Sequence, residues 1–199
     1  MTQTVTALYD RYEDASVAVR QLEAAGIPAS DISVVANNAE NWHRADEPST
    51  TSADASVGAG LGAVAGGGAG LLTGLGLMAI PGVGPVVAAG WLVATAAGAV
   101  VGAAAGGAAG GIVGALTNSG VPERQANVYA EGVRRGGTLV TARVSDDRVA
   151  EANRILEGSR RVDVDTRGAA YRKSGWSRFD PAAPQYSDEQ VRRERELYL

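Results

Sequence analysis

Acid–base, nucleophilic or metal chemistry would have to come from very few places in this chain of 199 residues. It has a single histidine, His43, and no cysteine. A lone imidazole without a second nitrogen or sulfur ligand makes neither a tetrahedral metal site nor a thiol–imidazole pair. His43 reads instead as a residue of a polar linker. Asp10, Glu13 and Asp14 are close enough for paired-carboxylate work. Asp10-Arg-Tyr-Glu13, however, has the spacing of a helix capping box, which accounts for them. Gly58-Ala-Gly60-Leu-Gly62-Ala63 meets the loose dinucleotide pattern. That fingerprint needs a preceding strand and an acidic residue about 20 positions on; Ser-Ala-Asp-Ala-Ser precedes it and an apolar run follows. Arg192, Arg193 and Arg195 are interleaved with Glu189, Glu194 and Glu196, as on a solvated helix. The expectation is a non-enzymatic protein with no catalytic, cofactor-binding or metal-binding residues.

The glycines carry more information. They recur at every fourth position in two rows: Gly58, Gly62, Gly66, Gly70 and Gly74, then Gly98, Gly102, Gly106, Gly110 and Gly114. Both rows lie between Ala55 and Pro122, a stretch free of charged side chains. Spacing of four lies along a helix surface, yet each interior Gly costs ~1 kcal/mol relative to Ala. A penalty repeated in register suggests a bare backbone for close helix approach, the small-xxx-small device. Successive glycines drift ~40° around a helix, so a row sweeps ~160°. One straight partner cannot cover that arc, which leaves a steep crossing or contacts with a second molecule. These ten glycines are the expected self-association residues.

The elements that would position them follow from local pattern. Thr4–Tyr9 alternates like a strand, and Ala15, Ala18, Val19 and Leu22 follow at helical spacing up to the stop Gly26-Ile-Pro28. Ile32–Ala36 is a second strand. After Pro122 a helix presents Ala126, Tyr129, Ala130 and Val133 and ends at Gly136-Gly137; Leu139–Val144 is a strand. Val149, Ala152 and Leu156 mark another helix, and Val162–Thr166 alternates as a final strand. Two βαβ units of similar spacing predict an α+β, ferredoxin-like sheet domain of duplicated βαβ halves, with helices on one face. The tail has Ser187-Asp-Glu-Gln190, a capping-box pattern with Tyr186 and Val191 as a staple. It predicts a short helix from Asp188 to about Tyr198 that needs a docking surface.

Between the halves, Pro81, Gly82, Gly84 and Pro85 form a turn. Arms of 57–79 and 86–116 would be about 35 and 46 Å long as helices, enough for a ~30 Å hydrocarbon core. The expected insert is a Gly/Ala-rich antiparallel helical hairpin. Its hydrophobicity is thin, however, since residues 59–78 hold six Leu/Val and eight Gly. No basic cluster flanks it. A membrane-associated hairpin and a Gly/Ala helix stack between molecules in water both remain open. The net charge of −4 argues against nucleic acid as a partner. Absence of cysteine fits a reducing compartment, and MTQTVTALYDRYEDA lacks a secretory leader pattern.

Three stretches together resemble the bacterial general stress protein family, the heat-induced stress protein group. They are YDRYEDASVAVRQLEAAGIPASDISVV, the IPGVGP turn between glycine rows, and VPERQANVYAEGVRRGGTLVTARV with its RFDPAAPQYSDEQVRRERE tail. The resemblance implies accumulation under general stress and supplies no catalytic residues.

The expected organisation is a first βαβ half at 1–38, a polar linker at 39–56 and the glycine-zipper hairpin at 57–117. A helix plus second βαβ half occupies 118–170, and the tail 171–199. The leading functional expectation is a stress protein that associates with itself through the hairpin at the cytoplasmic face of the membrane, with the lipid bilayer as a partner. A soluble cytoplasmic homo-oligomer or scaffold and a small-ligand regulatory module are the alternatives.

Overall fold

The computed structural model describes residues 1–40, 42–43, 71–95 and 111–198. Its strands are β1 (Thr2–Tyr9), β2 (Ile32–Asn37), β3 (Gly76–Ile80), β4 (Gly84–Gly90) and β5 (Thr138–Ser145). The helices are α1 (Tyr12–Ala24), α2 (Gly111–Asn118), α3 (Glu123–Arg134), α4 (Val149–Glu157), α5 (Val164–Lys173) and α6 (Asp188–Glu196). The strands make one sheet in the order β1-β5-β2-β4-β3, and every pairing is antiparallel. β5 therefore lies between β1 and β2, which α1 connects as a split βαβ unit. The two ends of the chain share one sheet.

Strand alternation sends side chains to two covered faces, where a one-sided domain was expected. Val5, Ala7, Tyr9, Val34, Val140, Ala142 and Val144 belong to the core shared with α1 and α4. Leu8, Val35, Val86, Ala88 and Leu139 belong to the core shared with α2 and α3. On α1, Ala15, Ala18, Val19 and Leu22 are the buried stripe, as their spacing requires. The helix stops because Gly26 takes φ +83°. The Gly26 and Ile27 amides then return to the Glu23 and Leu22 carbonyls, closing a Schellman turn.

Three expectations are corrected here. First, the helical hairpin is not what the described residues around the turn adopt. Reversal at Pro81, Gly82, Gly84 and Pro85 does occur, with the Val83 amide bonding the Ile80 carbonyl at 3.0 Å, but it joins strands β3 and β4. Tertiary pairing outweighs helical spacing: the outer edge of β2 accepts β4 from Asn37↔Val86 to Ser33↔Gly90. An uncovered edge there would leave a row of unpaired amides and carbonyls. Gly90 marks how close the strands come, since at its φ of +97° a Cβ would sit 2.2 Å from the Ile32 carbonyl oxygen. Second, the strand expected at Val162–Thr166 is absent. Val162 donates one bond to the Leu8 carbonyl at 2.8 Å, and Asp163 then accepts from the Thr166 amide at 2.6 Å, which caps α5. An N-cap carboxylate in the alternating run starts a helix where the pattern alone suggested β. Third, Asp10 does not cap α1. The N-cap is Arg11, which makes no side-chain cap bond.

Of the glycine rows, Gly58, Gly62, Gly66, Gly70, Gly98, Gly102, Gly106 and Gly110 lie outside the described residues. Gly74 ends a 3₁₀ turn, Leu71–Gly74. Gly114 is buried on α2, which packs against α3 of the same chain. Residues 71–95 and 111–117, counted above with the insert, contribute Leu71, Ile80, Val83, Val86, Leu92, Ile112 and Leu116 to the two cores.

Candidate functional site

The densest chemistry lies where α3, α5 and α6 meet the end of β1. Glu131 is completely buried on α3, and burying a carboxylate without a partner is costly. Two neighbouring guanidiniums meet it: Arg134 at 3.3 Å and Arg135 at 2.7 Å. Arg135 also reaches Glu194 of α6 at 3.2 Å and lies 4.2 Å above the Tyr171 ring. Burial works against the Arg135 charge, but the hydrogen bond and charge of Glu131 outweigh it and hold the guanidinium above its ordinary value. Beside it, Arg167 of α5 grips Asp10 with a two-pronged contact of 2.7 and 2.8 Å. This planar geometry is the strong form of the pair. It is also why Asp10 is unavailable to cap α1. The Tyr171 phenol is pushed well above its usual value by burial, despite the lowering influence of Arg167.

A second group of charges ties α6 to the start of the linker. Arg195 pairs with Glu40 and donates to the Gly136 carbonyl at 3.1 Å. Glu40 belongs to the segment after β2 that is fixed by its own bonds. Asn38 exchanges hydrogen bonds with the backbone of His43, and the Trp42 indole donates to the Asn37 carbonyl at 2.8 Å. His43 therefore sits in a pinned turn against the body. α6 itself begins with the expected capping box between Ser187 and Gln190. Val191 is fully buried, against Gly136, where a Cβ would come within 2.6 Å of it. The docking surface that α6 required is the α3 C-terminus.

The cavity inside this cluster is about 10 Å³, room for one water and no organic ligand. Its carboxylates and guanidiniums face one another at hydrogen-bonding distance, so the arrangement clasps the tail. Among the described residues, no group of three His, Asp or Glu side chains is placed to hold a metal. Glu131, Arg135 and Arg167 were not singled out from sequence. The available signal was a carboxylate embedded in the apolar α3 face beside Ala130, followed by two arginines.

The strap before α6 reaches further. Phe179 is buried, its amide bonded to the Asn127 side chain at 3.1 Å. Asp180 and Pro181 lie over the β3–β4 turn so closely that a Cβ on Gly82 would meet the Pro181 Cα at 2.6 Å. Gly82 therefore serves both the turn, at φ +75°, and the contact with the tail.

Fold and clasp together define a three-layer α/β protein built on a split βαβ unit and closed by its own C-terminal segment. The chain matches the family described as the heat-induced stress protein YflT domain over residues 4–83, from β1 to the β3–β4 turn. That match supports the stress-protein resemblance; β4, β5 and α2–α6 lie outside it. No curated protein and no solved structure matches the chain. Among the described residues, no helix is long and apolar enough to cross a membrane.

Proposed function

We propose that this is a non-enzymatic general stress-response protein whose folded body presents two glycine-rich segments for association with further copies of itself. The observation that carries the stress role is the match to the heat-induced stress protein domain over residues 4–83. The association role rests on the four-residue glycine spacing, now confined to less chain than the sequence suggested. Residues 71–95 and 111–118 are committed to the sheet and its cores. What remains of the arms is 57–70 and 96–110. Even as helices these would be ~21 and ~22 Å long, short of a ~30 Å hydrocarbon core. That length favours association between chains over a membrane-crossing hairpin, at the cytoplasmic membrane face or away from it.

The test is light scattering on the full chain and on Gly66→Leu and Gly106→Leu. A leucine in a close glycine contact overpacks it, at a cost of about 1–3 kcal/mol, so each variant should shift the distribution to smaller species. Identical mass distributions for all three proteins would refute association through the glycine rows. Flotation of the chain with phospholipid vesicles would show that the bilayer, rather than another copy, is the main partner.

A further inference from the structure

A second cavity, separate from the clasp, opens between the first turns of α3 and the C-terminal end of α5. Its volume is about 300 Å³, and Glu123, Arg124, Asn127, Arg172, Trp176 and Arg178 line it. That is the lower end of the range for small-molecule sites, some thirty times the space inside the clasp. It also lies outside residues 4–83 and is independent of the family match.

The local chain builds this groove deliberately. α5 ends in a left-handed Gly175, φ +90°. The Gly175 and Trp176 amides bond back to the Arg172 and Tyr171 carbonyls, which places the indole edge-on to the Tyr171 ring at 5.7 Å. Three residues further on, the Phe179 amide fastens the segment to Asn127 on α3. Asn127 is engaged through both ends of its amide, because its nitrogen also donates to the Glu123 carbonyl at 2.8 Å. The guanidiniums differ. Arg124 has only a 3.7 Å contact with Asp165, with both side chains about two-thirds exposed. Among the described residues, Arg172 and Arg178 pair with no carboxylate. The Trp176 indole N–H is buried and, among the same residues, has no acceptor. A buried donor left without a partner costs free energy unless something else supplies the acceptor. Pro122 caps α3 with no side-chain bond, so the first-turn amides of Glu123 and Arg124 also have no side-chain acceptor there.

We infer that this groove binds a phosphate group, held by the Arg172 and Arg178 guanidiniums and accepting from the Trp176 indole N–H. Apart from the Glu123 carboxylate, the charged groups of the lining are all guanidiniums, and guanidinium forks match tetrahedral oxyanions. Glu123 is the one opposing charge in the lining, and it tunes the affinity downward. The phosphate can come from a small ester such as a nucleoside monophosphate or from inorganic phosphate.

The experiment follows the three indole N–H resonances of the full chain by NMR, with Trp176→Phe assigning one of them. Adenosine monophosphate, inorganic phosphate and sodium chloride at matched ionic strength are titrated separately. A saturable shift at Trp176 with either phosphate and none with chloride is expected. Binding at least tenfold tighter for the ester identifies the ester as the source; equal binding identifies free phosphate. Arg172→Ala/Arg178→Ala should weaken binding about tenfold or more, with the other amide resonances in place because both side chains are exposed. Glu123→Gln should tighten it about two- to fivefold. A Trp176 response equal in chloride, or affinity unchanged in the double arginine variant, overturns the assignment.

Discussion

The two faces of the sheet are closed in opposite ways. On the α1/α4 face the cover comes from helices that directly follow the strands they protect, and the contact is aliphatic. Its main buried polar feature is the Tyr9 hydroxyl, which donates to the Leu156 carbonyl at 2.8 Å. On the α2/α3 face the cover is assembled from distant parts of the chain. α2 returns from the glycine-rich segment, α3 carries a buried carboxylate, and residues 176–196 wrap around from the C-terminus. Long side chains that end in charge bring these pieces together, with Arg135 between Glu131 and Glu194 and Arg167 on Asp10. A face closed by neighbours in sequence relies mainly on apolar burial, with one charged contact at its rim, where Arg148 donates to the Ala25 and Gly26 carbonyls. A face closed by remote segments uses directional contacts that define where each segment sits. The second face should consequently open first.

The strongest way to break this comparison is Glu131→Ala. It removes the carboxylate that two nearly buried arginines share and should destabilise the protein by about 3–5 kcal/mol, as for one partner of a buried pair. Urea unfolding measures the loss. Hydrogen exchange should show α3 and α6 amides losing protection while α1 and α4 amides exchange only through global unfolding. Equal acceleration on both faces would mean that they open as one unit.

A smaller effect is expected on the other side. Tyr9→Phe deletes one buried hydroxyl and leaves the Leu156 carbonyl without its donor, for a loss of about 1–3 kcal/mol. The phenol is held well above its ordinary value chiefly by burial, so it stays neutral through the physiological range and the loss should not vary with pH between about 5 and 9. A pH-dependent difference between wild type and variant would show that charge also matters on this face.

The smallest effect concerns the α5 cap. Hydrogen bonds from the Thr166 amide and hydroxyl lower the Asp163 carboxyl below its usual value. A depressed carboxyl stabilises the folded state above its unfolded pKa of ~3.9 and loses that contribution as pH falls through the lower folded value. Helix α5 should therefore fray on acidification below pH ~4, and Asp163→Asn should flatten the response. Circular dichroism together with the Thr166 amide shift would follow it; an unchanged acid profile in the variant would remove Asp163 from the account.

Local signals were legible where a residue's partner lies within a few positions. The Gly26 stop, the Ser187–Gln190 box, the buried stripe of α1 and the turn around Pro81 are all of this kind, because their geometry closes on itself. Asp10 misled for the opposite reason. Its spacing to Glu13 fits a cap, but the partner it takes lies on α5, 157 positions away, and a bidentate guanidinium outweighs one amide. Glu40 and Arg195 likewise meet only because β2 and α6 end at the same place.

The same division separates what the chain determined by itself from what tertiary structure decided. Composition and period settled strands β1, β2 and β5, the α1 connection between the first two, the capped tail helix and the absence of charge from the middle third, whereas the second βαβ half lacks its last strand. Whether the residues flanking Pro81 became helix or strand depended on the open edge of β2, because Gly-, Ala- and Val-rich sequence has no strong intrinsic preference and the unpaired edge supplied the missing hydrogen bonds. Whether Val162–Thr166 became a strand was decided by competition between one bond to β1 and the Asp163 cap. The clasp and the arginine-lined groove arise only when segments far apart in the chain arrive together, since charged side chains carry no periodicity that reveals their partners.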